Sequence, residues 1–126
     1  MIRNRADSIA AYDRFIRRLS GGGAVWLIVD TAQDLPATCA SNDDEMVLVV
    51  PVWSDRAYAE RARPRFGAGT RLEQVPLENF LTRTLPYLSD RRMRVGPNWN
   101  GDLAGLEVDP KDVAARLQGS TAGPAD

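Results

Sequence analysis

Histidine is absent from this 126-residue sequence, and cysteine occurs only once, at Cys39. Without histidine, the chain lacks the commonest general base and the commonest metal ligand of proteins. A single cysteine excludes an intrachain disulfide and a thiolate metal cluster, and no histidine is present to activate it as a nucleophile. We therefore predict no catalytic residues, no metal site, no cofactor and no enzymatic activity, and we interpret Cys39 as a small, half-buried strand residue.

Lysine is almost absent as well, because Lys111 is the only one among 16 basic residues and the others are arginines. This bias fits a GC-rich bacterial genome, or arginines that make planar, bidentate contacts at an interface. The acidic residues number 17, so the near balance of charge argues against nucleic acid or an acidic membrane as partner.

Long apolar runs are missing too. None reaches the roughly 18 residues that a membrane span needs, and no apolar stretch follows the N-terminal charges as in a signal peptide. The sequence thus predicts a cytoplasmic protein. The length suits one domain, which we assign to residues 1–118, and the small, polar residues 119–126 predict a disordered tail.

The most hydrophobic stretch begins at Met46 and continues through Pro51, Val52 and Trp53. It predicts a central strand over Met46–Val52 whose side chains are buried on both faces, with Leu48 at its middle. A short helix should begin directly after it, at Ser54 or Asp55.

Two further segments are predicted to pair with this strand. Ala24–Val29 is a second apolar strand, and Leu35–Ala40 is a short third strand that Pro36 places at an edge. The connections are too short for helical crossovers, so an antiparallel meander is expected. Farther along, Arg91–Val95 is predicted to form a hairpin with Leu103–Val108.

Helical spacing of apolar residues appears in two places. One helix should begin at Asp7 or Ser8 and end near Ser20, and another should begin near Leu77 and be kinked or shortened by Pro86. With the helix after Trp53 and a last one starting at Pro110, the predicted fold class is α+β. We expect a small, mainly antiparallel twisted sheet of about four to six strands, with about four helices packed on it.

The order of these elements resembles DUF2750, a family of small bacterial proteins of unknown function. The resemblance rests on VVPVWSDRAYAE at 49–60, VPLENFLTRTLPYL at 75–88 and VGPNWNGDLAGLEVDPKDVAARL at 95–117. It implies a compact α+β domain over most of residues 8–117, with no established catalytic residues. The Pro-Val-Trp step also resembles, more distantly, the Pro-Val-Phe step of the small secretion-associated SseB-type domains.

Trp53 and Trp99 carry the functional hypothesis, because each follows a short strand and lies in a polar turn. Trp99 stands between two asparagines, and turns of that composition lie at the surface, so we predict an exposed Trp99 and a mainly structural Trp53. An aromatic ring surrounded by polar groups has the composition of a binding hot spot. The candidate binding residues are Trp99, Asn98, Asn100, Asp102, Trp53, Asp55 and Arg56.

Three functions stay open. The first is a non-catalytic module, such as an immunity or adaptor protein, that contacts another protein through its Trp- and Arg-bearing loops. The second is a small-ligand sensor with a pocket near Trp53 and Trp99. The third is an enzyme that uses neither His nor Cys, which would need a carboxyl of raised pKa in a cleft. The missing catalytic residues favour the first.

Overall fold

A computed structural model describes residues 4–122. In this part of the chain, four helical segments pack on a six-stranded, mostly antiparallel open sheet, which confirms the predicted α+β class. The strands are β1 (Val25–Asp30), β2 (Leu35–Pro36), β3 (Cys39–Ala40), β4 (Leu48–Trp53), β5 (Thr70–Val75) and β6 (Arg94–Pro97). The helices are α1 (Arg5–Ser20), α2 (Arg56–Ala62, followed by a 3-10 turn at Arg63–Phe66), α3 (Leu77–Asn79) joined to α4 (Leu85–Asp90) by a π turn at Phe80–Thr84, and α5 (Pro110–Ala122).

The sheet is built around β1 and β4. β1 pairs with β5 along its whole length and, on its other side, with β4 at Trp26↔Trp53. β4 pairs with β6 in parallel from Val49↔Arg94 to Val52↔Pro97. The long strands therefore lie in the order β5-β1-β4-β6, and β4 is central, as the sequence predicts.

The segment Leu35–Ala40 fills the gap where β1 and β4 separate. Its first half, β2, pairs with the end of β1 at Val29↔Pro36, and its second half, β3, pairs with the start of β4 at Cys39↔Val49. The prediction of one edge strand here is wrong. Two short ladders replace it, because the segment crosses from one central strand to the other.

β6 also differs from its prediction. The expected hairpin of Arg91–Val95 with Leu103–Val108 is reduced to one antiparallel bridge, Val95↔Val108, and β6 runs parallel to β4 instead. A parallel neighbour needs a long crossover. Here α2, β5 and the α3–α4 segment together provide it.

Alternate residues of β4 enter two separate cores, one on each face of the sheet. Val50 and Val52 pack under α1, α4 and α5, whereas Val49 and Trp53 pack under α2 and the loop after β6. Burial on both faces is thus confirmed for the second part of the predicted strand. The prediction of burial is wrong at the start of that strand, where Met46 is 87% exposed and Leu48 is 40% exposed. The reason is that β4 begins only at Leu48.

Helix ends show further differences. α1 begins at Arg5 rather than at Asp7 or Ser8, because the Asn4 side chain caps it by accepting the Asp7 N–H at 2.8 Å. The π turn directly precedes the segment containing Pro86, whose nitrogen cannot donate a helical hydrogen bond.

At the other end, α5 continues to Ala122, so the predicted tail does not start at residue 119. The rest of that tail, residues 123–126, lies outside the described residues. None of the helices in residues 4–122 combines the length and the apolar character that crossing a bilayer requires.

Candidate ligand-binding cleft

The two tryptophans of the sequence hypothesis are joined to each other. Trp53, at the end of β4, is fully buried and donates its indole N–H to the Trp99 carbonyl at 2.8 Å. Trp99 donates its own indole N–H to the Leu106 carbonyl at 2.7 Å. The Trp99 side chain is only 3% exposed, so the predicted exposed anchor is wrong. Its polar edge is satisfied by the backbone of its own loop rather than left for a partner.

Two glycines explain why a polar turn buries a large ring. A Cβ atom on Gly96 would lie 2.4 Å from Cε2 of Trp99, and one on Gly105 would lie 2.4 Å from Cδ1. Both separations are far below van der Waals contact. The backbone at these two positions therefore approaches the ring so closely that only glycine fits without a shift.

Asn98 holds this loop to the rest of the fold. Its backbone N–H donates to the Val52 carbonyl, and its side-chain Oδ1 accepts the Ser54 N–H at 2.9 Å. Its Nδ2 donates to the Ala11 carbonyl of α1 at 3.3 Å. Asn98 also adopts a left-handed φ of 50°, which asparagine tolerates better than most residues. One buried side chain thus connects β4, α1 and the loop.

Asn100 shapes the tip of the same loop. Its Oδ1 accepts the N–H groups of Asp102 and Ala104 at 2.9 and 3.1 Å. Asp102 then points away and pairs with Arg65 at 2.6 Å. These contacts fix the loop against α2's 3-10 extension and leave its inner side facing α1.

Between α1, α2 and this loop lies an open cleft of about 440 Å³. α1 contributes residues at helical spacing, so that they share one face. Small side chains on that face and a glycine in the loop leave the space unfilled. The lining residues are Asp7, Ala10, Ala11, Arg14, Tyr58, Arg61, Asn98, Trp99, Asn100 and Gly101.

Two arginines meet over one aromatic ring inside the cleft. The guanidinium carbons of Arg14 and Arg61 lie 5.2 and 5.5 Å from the centroid of Tyr58, within cation–π range. Arg14 is also 3.8 Å from Asp55, a loose ion pair. Among the described residues, no carboxylate pairs with Arg61. The cleft therefore carries positive charge on the α2 side.

The residues predicted from the sequence are only partly brought together. Asn98, Trp99 and Asn100 line the cleft, and Trp53 lies beneath it. The others point elsewhere. Asp55 is not among the lining residues and pairs with Arg18 at 3.3 Å, and Arg56 pairs with Glu60 and stacks on Trp26 outside the cleft. Asp102 pairs with Arg65 on the outside of the loop.

Sequence reasoning missed Arg14, Tyr58 and Arg61. A usable signal was present, because Asp7, Ala10 and Arg14 recur at the spacing of one helix face, and Tyr58 and Arg61 are three apart on the next helix. Nothing in the sequence shows that these two faces oppose each other.

Comparison with known proteins assigns the chain to a family. Residues 12–117 match the family described as protein of unknown function, DUF2750. The chain belongs to DUF2750. No curated protein and no solved structure matches it significantly. The three stretches that carried the resemblance form β4 with α2, the α3–α4 segment, and β6 with the Trp99 loop and α5 of this DUF2750 protein.

A second polar cluster lies at the opposite end of β4. Arg94 Nη1 contacts Asp43 at 2.7 Å and Glu107 at 2.9 Å, and Ser41 Oγ lies 2.5 Å from both carboxylates. The Ser41 hydroxyl and the Arg94 guanidinium hold the pKa of Asp43 below its usual value. The groups satisfy one another, so we interpret the cluster as a brace between the β3–β4 turn and β6.

Cys39 and the carboxylates offer little else for chemistry. Burial raises the pKa of the Cys39 thiol, which disfavours the reactive thiolate form. Within residues 4–122, no three Asp, Glu or Cys side chains come close enough together to hold a metal ion. The α1–α2 cleft is therefore the site on which the functional argument rests.

Proposed function

We propose that this DUF2750 protein is a non-catalytic binding domain whose α1–α2 cleft holds a small molecule with an anionic group. The observation that supports this function is the convergence of Arg14 and Arg61 on Tyr58 at one wall of the cleft. It corresponds to the ligand-sensor alternative of the sequence analysis, with different residues in the main roles.

The two guanidinium groups explain the preference for an anion. Each presents planar N–H donors that suit a carboxylate or a phosphate oxygen pair. Arg14 keeps donors to spare because its contact with Asp55 is 3.8 Å long. Asp7, at the other end of the α1 face, disfavours an anion there and so orients the ligand with its charge towards α2.

The size of the cleft explains the preference for a small molecule. Its volume of about 440 Å³ lies within the range of ligand pockets, roughly 300–1,000 Å³. Ala10 and Ala11 leave this space open, and Tyr58 with the edge of Trp99 gives an apolar surface to the uncharged part of the ligand.

Binding rather than catalysis follows from the chemistry of the lining. Guanidinium, phenol and amide groups can hold and orient an anion, but among the described residues the lining has one carboxylate and no nucleophile paired with a base. The immunity or adaptor role loses the residue that was assigned to contact a partner protein, because the Trp99 ring is buried. A cytoplasmic location stays part of the proposal, supported by the single, half-buried thiol.

Titration with small anions, followed by NMR of the backbone amides, tests the proposal. We expect benzoate and phenyl phosphate to shift the amides of residues 98–101 and of α2, and neutral benzamide to shift them much less. Arg61→Gln should weaken benzoate binding by about tenfold, the loss expected for one charge-assisted hydrogen bond.

Arg83→Gln is the matched control, because Arg83 is exposed on the π turn and does not line the cleft. Its affinity for benzoate should equal that of the native protein. Equal binding of benzamide and benzoate, or an Arg61→Gln variant that binds as the native protein does, would contradict the proposed function.

A further inference from the structure

β5 forms an outer edge of the sheet. It pairs with β1 from Val25↔Val75 to Asp30↔Thr70 and, within the described residues, with no other strand. The Thr31 N–H donates to the Gly69 carbonyl at 3.0 Å, so this pair is hydrogen-bonded. Such pairs alternate along an antiparallel ladder, and residues 69, 71, 73 and 75 therefore face β1.

The backbone groups of Thr70, Leu72 and Gln74 consequently face away from the sheet. One contact supports this alternation directly, because Arg63 Nη1 donates to the outward Thr70 carbonyl at 2.9 Å. Beyond Thr70, the edge lies beside an open groove of about 560 Å³ between α2 and β5. An accessible edge of this kind can accept a strand from another chain.

The charges on β5 indicate which chain fits. Arg71 and Glu73 lie two apart on the same face of the strand, 3.1 Å from each other, and Arg71 also pairs with Asp34 of its own chain at 2.6 Å. Consider a second copy whose β5 pairs antiparallel with this one, centred on Leu72. Residue 71 of each copy then lies directly opposite residue 73 of the other, so each Arg71 faces a Glu73.

Neighbouring registers lack this complementarity. Centring the pairing on Arg71 places arginine opposite arginine, and centring it on Glu73 places glutamate opposite glutamate, both of which are unfavourable. The second of these also sets Thr70 opposite Pro76, which has no N–H to donate. The register about Leu72 satisfies both the charges and the backbone.

We propose that β5 is a self-association surface, through which two copies of this protein pair antiparallel about Leu72 and join their sheets. The contact is isologous, with a two-fold axis at Leu72, as in most homodimers. The cross-strand pairs of Arg71 with Glu73 set the register. The outward groups of Leu72 and Gln74 and the Thr70 N–H supply the hydrogen bonds, while the Thr70 carbonyl also accepts from Arg63 of its own chain.

Sedimentation equilibrium of the native protein tests the proposal, up to roughly millimolar concentration, where even a contact with a Kd of about 1 mM is substantially formed. The mass should rise above the 13.9 kDa of one chain. Glu73→Arg alone and Arg71→Glu alone each place like charges opposite each other, and each should weaken association by about tenfold or more.

An equimolar mixture of the two variants should recover association, because every 71–73 pair between them is then arginine against glutamate. Arg83→Glu, a surface charge reversal away from β5, should associate as the native protein does. Hydrogen exchange needs no variant: in the native protein, the Leu72 and Gln74 amides should become more protected as concentration rises.

Three results would overturn the proposal. They are a native protein that stays monomeric over the whole range, a dimer that is equally tight with Glu73→Arg, and Leu72 and Gln74 amides whose exchange does not depend on concentration.

Discussion

The indole N–H of Trp53 donates a 2.8 Å hydrogen bond to the carbonyl of Trp99, and this bond joins the end of β4 to the loop after β6. Both rings are buried, and both indole N–H groups are satisfied within the protein. The loop is thus a packed part of the second core. Its inner side, which faces α1, lines the cleft. Because the Trp99 ring is part of this core, substitutions at Trp99 should act on stability first.

Trp99→Ala should lower the free energy of unfolding by about 3–5 kcal/mol, as other buried aromatic truncations do. This reverses the expectation for an exposed ring. Urea denaturation measures the change, and Trp99→Phe should cost less, because it keeps most of the ring while losing the bond to Leu106. A Trp99→Ala variant as stable as the native protein would be incompatible with the buried ring.

Gly105→Ala should destabilise the fold by about 1–3 kcal/mol, the usual cost of overpacking a core. The reason is the 2.4 Å separation between the added Cβ atom and Cδ1 of Trp99. Gly119→Ala is the control, since among the described residues no atom outside its own helix lies within 4 Å of its added Cβ, and alanine favours the helix. The melting temperatures of the two variants should shift in opposite directions, or the shift should be clearly larger for Gly105→Ala.

Leu48→Asp and Val50→Asp separate the exposed and the buried part of β4. Leu48 is 40% exposed, so an aspartate there can stay hydrated, and we expect a cost of about 1 kcal/mol. Val50 is 1% exposed in the larger core, where an unpaired carboxylate is very costly. Circular dichroism should show a folded Leu48→Asp and an unfolded Val50→Asp. The opposite order would show that the register of β4 is wrong.

Asp43 should make stability depend on pH. Its pKa is lowered in the folded protein by the Ser41 hydroxyl and Arg94, so the folded state favours the ionised form. The resulting stabilisation is complete well above the usual pKa near 3.8 and is lost as the pH falls below it, through the lower folded value. Melting temperatures of native protein and Asp43→Asn should differ most near neutral pH and converge in acid. A constant difference would argue against this brace.

Local patterns in the sequence were sufficient for the helices and the two central strands. The apolar spacing of Ile9, Tyr12, Phe15, Ile16 and Leu19 predicts one buried face of α1, because side chains three and four residues apart share one face of any helix. The last four are buried, whereas Ile9, near the start of the helix, is 42% exposed. The runs that became β1 and β4 are recognisable for a similar reason, since strands buried on both faces need continuous apolar residues.

The cleft was predictable only in part. The turn residues Asn98, Trp99 and Asn100 are unusual enough to single out, and they do line it. Arg14 and Arg61 look like ordinary surface cations on two helices, and only the packing of α1 beside α2 directs both towards Tyr58. Contacts between distant segments leave no periodic trace in either one.

The sequence alone determined the helices, the two central strands and the family, because each depends on neighbouring residues along the chain. The tertiary structure decided the rest. Parallel pairing places β6 beside β4, and the closeness of Gly96 and Gly105 to Trp99 turns a polar loop into core. The physical reason is that burial depends on which surfaces meet, and a residue's own neighbours in sequence do not specify that.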